Sequence, residues 1–95
     1  MDKIKLELLS PAKNLEIGIA AIDCGADAVY IGAPSFGARE AAGNSIEDIE
    51  KLTRYSHKFW AKFFVTVNTI IFDDEIEEVC RLITKLYNIG VDAVI

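Results

Sequence analysis

The sequence is poor in the residues that build metal centres and disulfide frameworks. Its 95 residues include two cysteines and one histidine. Cys24 and Cys80 show no metal-ligand spacing, and we expect both to be small, buried apolar side chains without a disulfide. Nothing near His57 resembles a nucleophile–base pair, so we expect a surface position close to a helix end. No metal site is therefore predicted in this chain.

Long apolar runs and an excess of cations are also absent. No run approaches the roughly 18 residues of a membrane span, and residues 1–7 lack the apolar core of a signal peptide. A cytoplasmic location without membrane contact is therefore predicted. With 10 Lys and Arg against 15 Asp and Glu, the net charge is −5. This balance argues against a free-standing nucleic-acid-binding protein, and the G-x-G-x-x-G and G-x-S-x-G motifs are missing.

What the sequence does contain is a repeated switch between the apolar periods of strands and helices. Extended runs at residues 4–9, 28–31, 62–68 and 91–95 alternate with three helical segments. Ser10-Pro11 is expected to end the first strand, because proline has no amide hydrogen to donate. The order β-α-β-α-β-α-β predicts parallel strands with the helices packed outside.

Helix ends carry signals of their own. Asn14 and Ser45 are predicted N-caps, and Gly25 and Gly90 are placed to close helices in the left-handed conformation. Acids at residues 73–75 open the third helix. Six of its apolar residues recur at spacings of three and four and predict its inner face, namely Ile76, Val79, Cys80, Ile83, Leu86 and Tyr87.

A weak internal repeat decides between α/β architectures. Gly25–Val29 matches Gly90–Val94, and each copy joins a helix-closing glycine to an aspartate and an apolar strand. Successive similar units favour the first half of a (β/α)8 TIM-like barrel, so residues 1–95 are predicted to be a single half-barrel fragment of a larger domain. Its first and fourth strands are then unpaired edges, which we expect the rest of a parent chain or a second copy to cover.

The third strand separates two kinds of side chain. Phe63, Val65 and Val67 should meet the helices, whereas Phe64, Thr66 and Asn68 lie on the opposite face. Trp60, with Phe59 and Phe63, is expected in core or helix-to-strand packing rather than as a stacking surface.

Chemistry in such folds lies at the carboxyl ends of the strands. Ser10, Thr66 and Asn68 fall there, as do Gly32, Gly37 and Arg39 of a 13-residue loop from Gly32 to Asn44. Arg39 either binds a carboxylate or phosphate or pairs with Glu40. Asn68 either contacts a ligand or caps a loop, and Glu7 either pairs inside the barrel or acts as an acid or base.

Four ordered motifs resemble those of the collagenase-like peptidases, peptidase family thirty-two of unknown catalytic type. They are Glu7–Ala12 with Asn14–Glu16, Gly25–Gly32, Phe36–Arg39 with Ala42–Asn44, and Val65–Thr69. Lys13 stands where a glycine is usual, and Ser45 where many members have phenylalanine. The motifs add Tyr30, Phe36 and Asn44 to the expected substrate-binding residues; the catalytic residues stay unknown.

The resemblance implies a TIM-like barrel at the N-terminus of a longer protein. Members are named as proteases, whereas others take part in hydroxylation of RNA or ubiquinone with cysteines that hold an iron–sulfur cluster. Cys24 and Cys80 do not match those cysteines, so no cofactor is expected in this chain itself. The first hypothesis is a peptidase (a hydrolase), inactive as a fragment, on a peptide substrate. The alternatives are part of an RNA or ubiquinone hydroxylation protein and a structural half-barrel.

Overall fold

Strands and helices alternate along the described residues, as the sequence predicts. The computed structural model describes residues 6–34, 44–67 and 75–95. The elements are β1 (Leu9–Ala12), α1 (Leu15–Asp23), β2 (Ala28–Gly32), α2 (Ile46–Lys58), β3 (Lys62–Thr66), α3 (Ile76–Ile89) and β4 (Ala93–Val94). All four strands are parallel and pair in the order β1-β2-β3-β4. This confirms the α/β class and is consistent with half of a TIM-like barrel.

Two helices begin at the residues that the sequence nominates. The Asn14 side chain accepts a hydrogen bond from the Ile17 amide at 2.9 Å, and the Ser45 hydroxyl accepts one from the Asp48 amide at 3.1 Å. Each bond satisfies an amide that has no partner within its helix. The predicted N-caps of α1 and α2 are therefore confirmed.

The first strand corrects the expectation that Pro11 ends it. Pro11 lies inside β1, opposite Tyr30. The Leu8 carbonyl accepts hydrogen bonds from the Asp27 and Ala28 amides. Because backbone groups alternate in direction along a strand, the backbone N–H and C=O groups of Ser10 and Ala12 also point toward β2. The Pro11 nitrogen consequently faces the outer edge, where a missing amide hydrogen costs no bond to β2.

The core lies between the sheet and the helices. Val29 and Ile31 of β2 and Phe63 and Val65 of β3 are in register and at most 1% exposed. Ile49, Leu52 and Leu86 cover them from the helical side. The predicted helix-facing side of β3 is thus confirmed for Phe63 and Val65, and burial of these large apolar side chains is the main favourable term for folding.

Helices α1 and α2 are held together by a close approach and by one polar bond. A Cβ at Gly18 would lie 2.5 Å from Leu52 Cδ2, so glycine lets α2 pack directly on α1. The Tyr55 hydroxyl donates a hydrogen bond to the Asp23 carboxylate. This bond raises the pKa of Tyr55 above its ordinary value, because ionisation would remove the donor and place a second negative charge beside Asp23.

The inner face of α3 is narrower than predicted. Val79, Leu82 and Leu86 are its buried residues. The other predicted members form a second stripe, which is exposed because no described element packs on that side of the helix: Ile76, Cys80, Ile83 and Tyr87. Cys24 is exposed as well, so the expectation of two buried cysteines was wrong, although both thiols are free.

Each helix ends in the same reversal before the next strand. Residues with positive φ stand at all three junctions: Gly25 (100°), Trp60 (63°) and Gly90 (99°). The next amide then bonds to a carbonyl five residues back, from Ala26 to Ala21, from Ala61 to Ser56 and from Val91 to Leu86. The predicted closure at Gly25 and Gly90 is confirmed. Trp60 is 94% exposed and Phe59 is exposed too, so the expectation of core packing was wrong for both and right for Phe63.

Two of these junctions each contain an aspartate, and both aspartates bind the strand segment before the helix in the same way. Asp27 exchanges two hydrogen bonds with Leu8: its carboxylate accepts from the Leu8 amide, and its amide donates to the Leu8 carbonyl. Asp92 makes the same pair of bonds with Phe63. His57 Nε2 lies 2.8 Å from the same Asp92 oxygen. The repeat seen in the sequence therefore corresponds to a repeated pair of hydrogen bonds that fixes the register between neighbouring strands.

No helix among the described residues is long and apolar enough to span a membrane.

Replacing Trp60 by glycine is expected to raise the free energy of unfolding by about 1 kcal/mol, because glycine adopts a positive φ without the steric cost that Trp60 incurs. Gly90→Ala should lower it by a similar amount. Gly32→Ala is the control, since Gly32 has no positive φ and an added Cβ would meet nothing within 4 Å. Urea unfolding of the purified protein measures all three; a less stable W60G variant would contradict the assignment.

Replacing Asp92 by alanine should lower the free energy of unfolding by about 2 kcal/mol, because the Phe63 amide and the His57 ring lose a charged acceptor together. Asp27→Ala, which removes the acceptor of one amide, should cost about 1 kcal/mol. Glu78→Ala on the exposed side of α3 controls for loss of a carboxylate. Equal stability of all three variants in urea would show that the aspartates do not lock the strands.

Candidate functional site

Two strand ends and the start of α2 build a small polar cluster at the carboxyl edge of the sheet. Gly32 lies opposite Thr66. The Ala33 amide donates to the Thr66 carbonyl at 2.9 Å, and the Thr66 hydroxyl donates to the Ile31 carbonyl at 3.3 Å. These bonds hold Gly32 and Thr66 side by side at the edge where ligands bind in parallel α/β proteins.

Asn44 joins this cluster from the far end of the loop that leaves β2. Its side-chain amide donates to the Gly32 carbonyl at 3.1 Å, a bond between residues 12 positions apart. The bond ties the residue before α2 to the end of β2. Gly32, Asn44 and Thr66 are thus three predicted site residues that the structure brings together, and we call them the carboxyl-edge cluster.

Tyr30 lies two residues before Gly32 in β2, on the open face of the sheet, which is the face away from the helices. Strand alternation places it on the same face as Gly32, and the register sets it opposite Pro11 on one side and Phe64 on the other. Tyr30 and Phe64 are half-buried. Pro11 and Phe64 are absent from the predicted site. The period of two already placed Phe64 beside Thr66, whereas Pro11 needed the observed register of β1.

Two predicted residues lie elsewhere. Ser10 is in register with Val29, and so it shares the helix-facing side of the sheet. Its hydroxyl lies 3.3 Å from the Pro11 carbonyl. Glu7 is exposed and precedes β1, so it is at the amino edge of the sheet, opposite the cluster. Substrate binding by either residue stays a prediction, and the structure places neither with the cluster.

The remaining predicted residues lie outside the described parts of the chain. They are Phe36, Gly37, Arg39 and Asn68. The two interpretations of Arg39 and of Asn68 therefore both stay open. Tyr30, Gly32, Asn44 and Thr66 are the predicted residues that lie at or beside the cluster.

The cluster can orient a ligand through a hydroxyl, a carboxamide and backbone groups, and through the aromatic surface of Tyr30 and Phe64. Within residues 6–34, 44–67 and 75–95, no three His, Cys, Asp or Glu side chains converge as metal ligands. Cys24 follows α1 and Cys80 lies on α3, both on the helical side. These residues do not fit the four-thiolate set of an iron–sulfur cluster, so no chemical step here is assigned to one.

Comparison with known proteins decides the family. The sequence matches Peptidase family U32 over residues 13–95. The chain belongs to this family. The resemblance drawn from its four motifs is therefore confirmed.

U32 relatives carry names from two kinds of chemistry. An Escherichia coli protein named as a 23S rRNA 5-hydroxycytidine synthase is 58% identical over 96% of this chain and 14% of its own length. The tRNA hydroxylation protein P1 of Bacillus subtilis is 40% identical over 77% of the chain and 18% of its own length. A Porphyromonas gingivalis protein named collagenase is 31% identical over 94% of the chain and 22% of its own length. The chain thus spans less than a quarter of each of these proteins.

Asn44→Ala should lower the free energy of unfolding by about 1 kcal/mol, since the Gly32 carbonyl loses its donor. Asn44→Asp should not restore stability, because a carboxylate cannot donate this bond. Asn88→Ala, at an exposed position of α3, is the matched control. Wild-type stability of both Asn44 variants in urea would show that the bond between the loop ends contributes nothing.

Proposed function

We propose that this chain is the N-terminal barrel segment of an RNA-hydroxylating enzyme that forms 5-hydroxycytidine in ribosomal RNA. The observation that carries the proposal is the 58% identity to the rRNA 5-hydroxycytidine synthase across 96% of the chain. The relative named for tRNA hydroxylation supports the same class of substrate at 40% identity. A ribosomal substrate also agrees with the predicted cytoplasmic location.

The half-buried groups of the site suit a nucleobase. Aromatic side chains stack on the planar face of a base, and hydroxyl and carboxamide groups recognise its polar edge. Tyr30 and Phe64 provide the first kind of group, and Thr66 and Asn44 the second. In this proposal their role is to bind and orient the cytosine ring, so that its C5 position is presented to the oxidising part of the enzyme.

The rest of the enzyme has to supply the oxidising chemistry. Conversion of cytidine to 5-hydroxycytidine replaces one C–H bond by a C–OH bond, which is an oxidation. The resemblance to the family implies an iron–sulfur cluster for members of this kind, and Cys24 and Cys80 do not fit as its ligands. We therefore assign any such cluster, and the partner that covers the open sheet edges, to segments of the parent protein beyond this chain.

The peptidase hypothesis is supported by the collagenase relative, at 31% identity. It ranks second here, because the rRNA-modifying relative is nearly twice as similar over the same length of chain. A structural half-barrel without chemistry of its own ranks third.

Complementation tests the proposal. The complete natural protein, expressed in Escherichia coli that lacks its rRNA 5-hydroxycytidine synthase, should restore 5-hydroxycytidine to 23S rRNA, measured by mass spectrometry of nucleosides. Thr66→Val and Asn44→Ala should lower the restored fraction about tenfold, since small displacements in a site cost that much or more. Tyr87→Ala, 81% exposed on α3, is the control and should match the wild type.

An expressed, folded protein that restores no 5-hydroxycytidine would reject the proposal. Cleavage of gelatin or casein by the same purified protein would then favour the peptidase hypothesis. Full modification of the RNA by the Thr66 and Asn44 variants would support the RNA function and would show that the carboxyl-edge cluster has no part in it.

A further inference from the structure

An exposed aromatic turn lies at the amino edge of the sheet, away from the carboxyl-edge cluster. It joins α2 to β3 and consists of Lys58, Phe59, Trp60 and Lys62. Trp60 is 94% exposed and Phe59 is 55% exposed. Both lysines are exposed as well. We call these four residues the aromatic turn.

The backbone conformation of Trp60 is sterically unfavourable, and packing of its side chain does not compensate for this. Trp60 has a φ of 63°, at the position where the other two helix-to-strand junctions have glycine. A side chain in this region carries a steric cost that glycine avoids, and a ring with 94% exposure recovers little by burial. A strained residue without a packing role points to a function outside the fold. Trp60 is also the single tryptophan of the chain.

The neighbouring groups hold this turn in place. The Trp60 amide donates to the His57 carbonyl at 3.2 Å, and the Ala61 amide donates to the Ser56 carbonyl at 2.9 Å. The Phe59 ring packs against Tyr55 with centroids 5.1 Å apart, and Tyr55 is bound to Asp23. A held aromatic surface binds a planar group at a lower entropic cost than a mobile one.

The stretch of sequence that carries the turn is basic, whereas the whole chain is acidic. Residues 51–67 contain Lys51, Arg54, Lys58 and Lys62 and no aspartate or glutamate, although the chain carries −5. Among the described residues, Lys58 and Lys62 form no ion pair. Three aspartates of the described residues also lie at this edge, and their charge is not removed by their hydrogen bonds, which run from Asp23 to Tyr55, from Asp27 to Leu8, and from Asp92 to Phe63 and His57.

We propose that the aromatic turn binds single-stranded RNA, with one unpaired base stacked on Trp60 and the adjoining phosphates on Lys58 and Lys62. Aromatic stacking combined with nearby cations is the usual mode of binding single strands. The inference rests on the proposed RNA substrate and adds a second contact to it. Lys62 and Thr66 are the two ends of β3, about 13 Å apart along the strand, so the turn and the carboxyl-edge cluster would contact different parts of one RNA chain.

Trp60→Gly tests the proposal sharply, because it removes the ring and keeps the backbone conformation of the turn. The complete protein is titrated into a fluorescein-labelled single-stranded RNA of about 15 nucleotides and followed by anisotropy. W60G should weaken binding about tenfold, and Trp60→Phe should retain most of it. The double variant K58E/K62E should weaken binding and flatten its dependence on salt.

Tyr87→Ala and Lys85→Glu are the matched controls, since each alters an exposed residue of α3 and should bind RNA like the wild type. Wild-type affinity of W60G would overturn the inference. So would W60G that binds RNA normally but changes oligomeric state in light scattering, which would make the turn a protein interface.

The complementation assay separates this inference from the proposed function. If the wild-type protein restores 5-hydroxycytidine and W60G binds and modifies RNA equally well, the second contact fails and the function stands. If wild-type protein binds the RNA through Trp60 but restores no 5-hydroxycytidine, the contact stands and the proposed reaction fails.

Discussion

The register between neighbouring parallel strands is the constraint on which the rest of this structure depends. A shift of one residue between β2 and β3 would move Phe63 and Val65 from the helical side to the open face and would empty the core. Asp27 opposes the same kind of shift between β1 and β2, and Asp92 opposes it between β3 and β4, because each binds both the amide and the carbonyl of one residue in or next to the preceding strand. The junction between α2 and β3 has Lys62 in place of the aspartate. There the register between β2 and β3 is supported by the backbone bond from the Lys62 amide to the Asp27 carbonyl.

Local sequence signals predicted the elements well, because each depends on few neighbours. The caps at Asn14 and Ser45 and the reversals at Gly25 and Gly90 need only residues within one turn. Predictions failed where the answer depends on what packs alongside. Cys80 has a helical period that suits a core, yet it lies on a side of α3 that no described element covers. Pro11 stays in β1 because its nitrogen faces the open edge of that strand, and this direction depends on the observed register with β2.

The candidate site was predictable in position and only partly in membership. Topology alone places function at the carboxyl edge, and Gly32, Asn44 and Thr66 do meet there. Glu7 and Ser10 are of suitable residue types but lie away from the cluster. Glu7 precedes β1 and so lies at the amino edge, whereas Ser10 faces the helical side because side chains alternate along the strand. Trp60 was misassigned since an aromatic residue near a strand is ordinarily buried. Its exposure follows from the left-handed turn that precedes β3.

Pro11 makes the two open edges of the sheet unequal. A strand that adds to β1 finds one donor fewer there, because the ring nitrogen of Pro11 faces outward. Residues 91–95 contain no proline, so the edge of β4 offers a more complete set of backbone partners. Prolines on edge strands discourage unintended pairing. A strand that extends this sheet therefore finds more backbone partners along β4 than along β1, so extension is favoured on the side of β4.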